Sequence, residues 1–401
     1  TKMPIRHIPP RETKRWTGPY LGNYYGTLWK TFNVDLDRSE GKIMLSRQMF
    51  VVEDSTELPG LGSAYIRAFV RTDADCTDRF WALNINDMFK TDSAVFPEPD
   101  HDWDTDPLDS TPGSGMQDMT VHLNDSRVDS GRNKLFVTLD TDIDVLNDTG
   151  DNAWTGGWWV TKHSQPPLDS NARYHPIEFF PFRKITLVGD GNKLHTISRP
   201  SDTQNDTISN TRLALPPKYE INHIFPTSNR AWLLCRNKIG NEGVVVEWDG
   251  FSQTYNEIHS VYSPAALSGV NYRDVPIIVN SKGEILEFSG RGFVPMVRNG
   301  QQVAFPVIEE LGKNLAETLS GNAFDEKIKP RGMTVGEDGL IYINVEQPTS
   351  LSHRQSAGIW CLNPMSGRLY PKYALQNDTG GDTTDDGHQS IADAGAVYWV
   401  P

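Results

Sequence analysis

The sequence predicts an all-β protein organised as a β-propeller with an extended N-terminal arm. Three observations support this prediction: a complete four-stranded antiparallel unit near the middle of the chain, a repeat of that unit, and single strand-like segments towards both ends. Together they predict seven blades of four antiparallel strands, closed by pairing of the N- and C-terminal strands. A β-sandwich with similar hairpins is the alternative fold, and five or six blades stay open as alternatives to seven.

The four-stranded unit covers residues 219–260. Apolar and β-branched runs alternate there with short polar turns, and Asp249-Gly250 is a strong hairpin signal. The unit contains four predicted strands: Ile221–Phe225, Arg230–Asn237, Val244–Trp248 and Phe251–His259. Because a lone four-stranded sheet leaves two faces in water, the unit predicts similar neighbours.

The repeat supplies those neighbours. The sequence GVVVEWDG at 243–250 returns as GEILEFSG at 283–290, with the same pattern of glycine, two aliphatics, glutamate and aromatic. A looser copy follows in three pieces, at 340–346, 358–362 and 368–375. A period of roughly forty residues with four strands is typical of a propeller blade.

Blades are predicted to start near residues 62, 119, 177, 219, 264 and 329, and the seventh is shared between the two ends of the chain. Its strands would be Lys42–Val52 and Ala394–Pro401, whose pairing removes the free sheet edges. Residues 41–401 thus form one domain. It carries acidic loop insertions at 97–118 and 375–389 and a short helical insertion at 306–319.

Composition limits the function. The net charge is −14 with a pI near 5.2, which argues against nucleic acid as the main ligand and against an anionic membrane surface. No run approaches the ~20 apolar residues of a membrane helix. The three cysteines are far apart in sequence, and Cys235 and Cys361 fall in apolar strands, so we expect buried thiols and a reducing compartment.

Residues 1–40 differ from the rest of the chain because they are basic at the start and then rich in aromatics and glycine. So many aromatic side chains need a surface that buries them. That surface is either the domain's own core or another subunit. The predicted interaction residues are Trp16, Tyr20, Tyr24, Tyr25 and Trp29 of this arm, together with Trp154, Trp158 and Trp159.

Alternating carboxylates suggest one metal site. Asp100, Asp102, Asp104 and Asp106 offer the oxygen ligands that Ca²⁺ prefers, although an acidic solvated loop has the same sequence. A second series, Asp140, Asp142 and Asp144, is predicted to alternate along one strand. No other cofactor is expected.

Catalytic signatures are missing from the sequence: there is no Gly-x-Ser-x-Gly elbow, no His-Glu-x-x-His and no phosphate-binding loop. We therefore predict that the protein is not an enzyme. His223 and His259 are expected to be ordinary packing or rim residues. The tryptophans at 154–159 could stack on sugar rings or wedge between blades, so a carbohydrate-binding or glycoside-cleaving propeller is the alternative function.

Two features distinguish the chain: imperfectly repeated blades (GVVVEWDG, GEILEFSG) and an aromatic arm (WTGPYLGNYYGTLW). In these features it resembles β-propeller structural proteins of tailed-phage virions, such as tail, nozzle or fibre-associated components. The resemblance implies a non-enzymatic structural protein that assembles with copies of itself and other subunits. It also implies localisation in a virion that is assembled in the host cytoplasm.

Overall fold

A computed structural model of the chain describes the protein over most of residues 115–374. The described ranges are 34–35, 44–45, 68–72, 79–83, 88–91, 103–104, 115–123, 134–147, 158–161, 167–198, 207–305, 328–336, 338–345 and 358–374. Nearly all of the arm at 1–40 (except Val34–Asp35), the predicted helix at 306–319, the acidic loop at 375–389 and most of the loop at 97–118 lie outside these ranges.

The described residues form an all-β structure. The strands are β1 Val34–Asp35, β2 Met44–Leu45, β3 Ala68–Thr72, β4 Arg79–Leu83, β5 Met88–Thr91, β6 Trp103–Asp104, β7 Asp118–His122, β8 Lys134–Thr138, β9 Ile143–Asn147, β10 Trp158–Thr161, β11 Ile177–Phe180, β12 Ile185–Asp190, β13 Lys193–Ser198, β14 Thr207–Ala214, β15 Tyr219–Pro226, β16 Ala231–Asn237, β17 Val244–Trp248, β18 Glu257–Ser260, β19 Ala266–Tyr272, β20 Val275–Asn280, β21 Ile285–Phe288, β22 Phe293–Pro295, β23 Val297–Arg298, β24 Gln301–Gln302, β25 Met333–Val335, β26 Ile341–Val345, β27 Gly358–Asn363 and β28 Arg368–Ala374. In these ranges no helix is long and apolar enough to cross a bilayer.

Six four-stranded antiparallel sheets follow one another along the chain, each with its strands in sequence order. We number them as sheets one to six: β3–β6, β7–β10, β11–β14, β15–β18, β19–β22 and β25–β28. The first strand of each sheet contacts the first strand of the next, from β3 through β7, β11, β15 and β19 to β25. Meander sheets that meet through their first strands form a propeller-like fold, as the sequence predicts.

The six sheets begin at residues 68, 118, 177, 219, 266 and 333, close to the predicted blade starts. A seventh sheet and ring closure are not seen among the described strands. Met44–Leu45, inside the predicted closing strand, pairs with Val34–Asp35 in a two-stranded ladder. The other predicted closing strand, at 394–401, lies outside the described residues.

The core is divided into five apolar clusters, each filling the space between two successive sheets. Strand β16 shows how one strand contributes to two of these clusters. Leu233 and Cys235 belong to the cluster shared with sheet three, whereas Trp232 and Leu234 belong to the cluster shared with sheet five. Successive side chains of a strand project to opposite faces, so a strand buried on both faces is apolar throughout.

An aromatic side chain and two thiols are buried between the sheets. Trp248, the aromatic residue of the first repeat, is completely buried between sheets three and four. Cys235 and Cys361 are buried free thiols, as predicted. Burial raises the pKa of the Cys235 thiol, and the nearby Glu220 carboxylate adds to the effect, so this thiol is unreactive.

Two strand predictions were wrong. The fourth strand of the central unit begins at Glu257 and not at Phe251, because the Asp249 carboxylate binds the backbone of residues 251 and 252 in a turn. Asp140 and Asp142 do not share a strand with Asp144. They lie in the turn between β8 and β9, which is closed by a hydrogen bond from the Leu139 N–H to the Asp142 carbonyl (2.8 Å).

One arginine connects three of the six sheets. The guanidinium of Arg331, just before β25, donates to Asp118 Oδ1 (2.7 Å) at the start of β7 and to Glu178 Oε2 (2.8 Å) in β11. It also donates to the backbone carbonyls of Met119 (3.1 Å) and Ile177 (2.6 Å). The side chain is only 18% exposed, so these contacts replace most of its hydration.

The charges of this cluster stabilise each other. Burial alone would lower the pKa of Arg331, but the carboxylates of Asp118 and Glu178 outweigh it and hold the pKa above its usual value. Burial raises the pKa of Glu178, and Arg331 opposes that rise. The charge of Arg331 also affects His223. Burial, and secondly the positive charge of Arg331, lower the pKa of His223 to about 3, so this histidine is neutral.

We predict that Arg331→Met destabilises the protein strongly. The substitution leaves Asp118 and Glu178 without their counter-charge, and breaking a buried ion pair in this way costs about 3–5 kcal/mol. Urea unfolding followed by tryptophan fluorescence measures the loss. Arg298→Met is the matched control, because its pair with Glu287 is more exposed and its loss should cost less free energy of unfolding. Equal losses in the two variants would contradict the prediction.

Candidate interaction surface

Two phenylalanine side chains are exposed on neighbouring sheets. Phe182 is 53% exposed in the turn between β11 and β12 of sheet three, and Phe251 is 67% exposed in the turn between β17 and β18 of sheet four. Large aromatic side chains usually avoid water, so two that are exposed together form a candidate contact surface. We call these two residues, with Arg183, Lys184 and Arg212, the Phe–Arg surface.

The first turn is held by backbone hydrogen bonds. The Arg183 N–H donates to the Phe180 carbonyl and the Lys184 N–H to the Pro181 carbonyl, each at 3.2 Å. Phe180 is fully buried, and its ring centroid lies 6.1 Å from that of Phe182. The turn therefore rests on a buried aromatic side chain while it exposes another.

The second turn is ordered by one carboxylate. Asp249 Oδ1 accepts hydrogen bonds from the N–H groups of Phe251 and Ser252, both at 2.8 Å, and Oδ2 accepts one from Ser252 Oγ at 2.7 Å. Gly250 has φ +76°, and a Cβ on it would lie 2.5 Å from Phe180 Cε1. Glycine is therefore needed at this position both for its conformation and for close approach to sheet three.

Arginine side chains join the two turns. Arg183 Nε donates to the Asp249 carbonyl (3.0 Å), and its Cζ lies 4.9 Å from the ring centroid of Phe182 and 5.7 Å from that of Phe251. Arg212 in β14 donates to the Phe251 carbonyl, with its Cζ 5.9 Å from the same ring. Such cation–π contacts fix both the rings and the charges at a surface.

The described residues do not test the sites that were predicted from the sequence. Backbone positions alone are described for Asp104, at the end of β6, and for Trp158 and Trp159, in the outermost strand of sheet two. The other predicted residues lie outside the described ranges: Trp16, Tyr20, Tyr24, Tyr25, Trp29, Asp100, Asp102, Asp106 and Trp154.

Sequence reasoning missed the Phe–Arg surface, although a signal was present. The segment FFPFRK at 179–184 places a phenylalanine and two cations in a turn, where polar residues and glycine are usual. Phe251 follows the Asp249-Gly250 turn directly. An aromatic residue that directly follows a hairpin turn can thus indicate an exposed side chain in the turn and not the start of the next strand.

We predict that Asp249 stabilises the second turn most strongly when it is ionised. Burial alone would raise its pKa, but hydrogen bonds from the Ser252 side chain and from the backbone of Ser252 and Phe251 lower it from 3.8 to about 2. Its contribution to stability is therefore complete above pH 4 and is lost as the pH falls towards 2.

Unfolding free energies of the wild type and Asp249→Ala at several pH values between 7 and 2.5 test this. The difference between the two proteins should be constant above pH 4 and shrink below it. Asp249→Asn is the control, because its amide oxygen keeps the acceptor for the two N–H groups. A difference that does not change with pH would contradict the prediction.

Comparisons with known proteins give only weak likenesses. No protein-family model matches the chain, and no curated protein sequence matches it. A quinonprotein alcohol dehydrogenase-like protein from Bacteroides thetaiotaomicron is 10% identical with a TM-score of 0.41, and the match covers 77% of this chain and 66% of that protein. The computationally designed protein Ika8 is 9% identical with a TM-score of 0.39, covering 77% and 86% of the two chains. A GH43 β-1,3-galactosidase is 10% identical with a TM-score of 0.28, covering 61% and 92%. At these TM-scores none of the three carries an activity over to this chain.

Proposed function

We propose that the protein is a non-enzymatic assembly protein and that its Phe–Arg surface binds a second copy of the chain. The observation that carries this proposal is the pair of exposed rings, Phe182 and Phe251, fixed in place by two arginines across neighbouring sheets. Aromatic residues and arginine are the residue types enriched in protein interfaces. A preformed surface also loses little conformational entropy on binding.

Charge favours a copy of the same chain as the partner. The chain has a net charge of −14, yet Arg183 and Arg212 lie over the two rings, and Lys184 lies in the same turn as Phe182. The one carboxylate in the second turn, Asp249, is occupied by hydrogen bonds of its own turn. An acidic face of a second copy would supply the complementary sign, and such association weakens as salt screens the charges.

The setting we propose is a tailed-phage virion, assembled in the host cytoplasm with copies of the chain and other structural subunits as partners. This setting rests on the sequence resemblance alone. We propose further that residues outside the described ranges complete a seventh sheet and close the ring, and that the arm at 1–40 supplies a second assembly contact. We also propose that Asp100, Asp102, Asp104 and Asp106 bind a calcium ion.

We predict that the double variant Phe182→Ser, Phe251→Ser weakens self-association at least tenfold. Both side chains are exposed, so the free energy of unfolding should change by about 0.5 kcal/mol or less. Light scattering over a concentration series, at low and at high salt, measures the dissociation constant. The wild type should associate more tightly at low salt.

Ile239→Ser is the matched control. Ile239 is 85% exposed in the turn between β16 and β17, at the other end of the strands from the turn that carries Phe251, so its loss should leave association unchanged. A monomeric wild type, or association that is equally strong in the double variant, would refute the proposed function.

Carbohydrate binding is the second candidate function. The observation that favours it is the place of β10, because Trp158 and Trp159 lie on the outermost strand of sheet two, at a sheet edge. A glycan array tests this candidate. Hits that disappear in Trp158→Ala would favour it, and an array without hits would dispose of it.

A further inference from the structure

Three side chains with metal-ligand chemistry meet on the outer strands of sheet four. Glu247 lies near the end of β17, and Glu257 and His259 lie in β18. In the register of these strands Glu247 is directly opposite Glu257, and Val245 is opposite His259. Residues 257 and 259 are two apart in one strand, so they share a face with Glu247.

The distances within the group suit one ion. His259 Nε2 lies 3.6 Å from Glu247 Oε2 and 3.8 Å from Glu257 Oε2. The three ligand atoms all lie within 4.8 Å of one another. Two ligand atoms at about 2.0–2.1 Å from a tetrahedral zinc ion are about 3.3–3.4 Å apart, so both distances to the imidazole lie within about 0.5 Å of that geometry.

The imidazole of His259 points into this group without a hydrogen bond. The residue is 6% exposed, and no described residue accepts a hydrogen bond from Nε2 or donates one to it. The ring is packed among aromatic side chains, with centroid distances of 5.3 Å to Phe288, 6.0 Å to Phe293 and 6.1 Å to Trp232. A buried polar nitrogen without a partner is unfavourable unless a ligand satisfies it.

The repeat provides an internal comparison. Glu287 stands in GEILEFSG where Glu247 stands in GVVVEWDG, and each binds an arginine. Arg298 takes both oxygens of Glu287, at 2.7 and 2.6 Å. Arg230 takes only Oε1 of Glu247, at 2.7 Å, so Oε2 faces His259.

The local charge also favours a cation. Glu247 and Glu257 are directly opposite in the ladder, where like charges repel, and Arg230 compensates only one of them. Glu257 is 62% exposed, so the group can be reached from solvent. Arg230 binds Oε1 of Glu247 and so orients its carboxylate, as groups around metal ligands commonly do.

We propose that Glu247, Glu257 and His259 bind a divalent first-row transition-metal ion, with Zn²⁺ as the best match. One imidazole and two carboxylates are typical ligands of such ions, whereas Ca²⁺ requires six to eight oxygens. The bound ion satisfies His259 Nε2 and neutralises the facing carboxylates. This site is separate from the Phe–Arg surface and does not depend on the proposed assembly function.

The test is a calorimetric titration of the chelator-treated full-length chain with Zn²⁺. We expect a high-affinity site with one ion per chain and a higher melting temperature in its presence. Glu257→Gln should weaken this site at least tenfold. Because Glu257 is mostly exposed, this variant should fold normally, whereas His259→Gln removes a buried ligand and needs a folding check by circular dichroism.

Glu242→Gln is the matched control, since Glu242 is an exposed glutamate in the preceding turn of the same sheet. It should bind Zn²⁺ like the wild type. Loss of the site in Glu257→Gln but not in Glu242→Gln would support the proposal. Failure of the wild type to bind Zn²⁺ at one ion per chain, or unchanged binding in Glu257→Gln, would overturn it.

Discussion

The buried guanidinium of Arg331 is the constraint on which the arrangement of the sheets depends. It stands before the first strand of sheet six, yet its acceptors belong to the first strands of sheets two and three. A cation with so little exposure is tolerable only if its donors are satisfied. The three sheets must therefore meet with these acceptors in place. Apolar packing between neighbouring sheets has no such directional requirement, and it would tolerate small rotations of one sheet against the next.

The apolar clusters join parts of the chain that are close in sequence, whereas Arg331 joins parts that are far apart in sequence. Each cluster joins two sheets that are consecutive in the chain, so it fixes the order of the sheets locally. The Arg331–Asp118 contact joins residues 213 positions apart and acts between sheets that are not consecutive. Local packing of this kind builds a row of sheets, whereas the long-range ion pair draws the first strands of that row together.

This difference explains what the sequence could predict. The sheets from β15 onward were predictable because glycine-containing turns and alternating apolar residues are local signals, and the repeat at 243–250 and 283–290 multiplied them. Side-chain contacts that end a strand early, such as the capping of residues 251 and 252 by Asp249, were not visible in periodicity. The partners of Arg331 and the meeting of Glu247 with His259 depend on folded geometry, which the periodicity of a single sequence does not reveal.

One hairpin of sheet four links the two candidate sites. Strand β17 ends at Trp248 and β18 begins at Glu257, and the loop between them presents Phe251 on one side. The glutamates at the two ends of that loop face each other beside His259. In sheet five the equivalent glutamate is bound by arginine through both oxygens, and no histidine from the neighbouring strand joins it. The repeat therefore supplied the same glutamate twice. The neighbouring side chains differ between the two sheets. In sheet five Arg298 binds both carboxylate oxygens of Glu287, whereas in sheet four Oε2 of Glu247 faces His259 and stays available for a ligand.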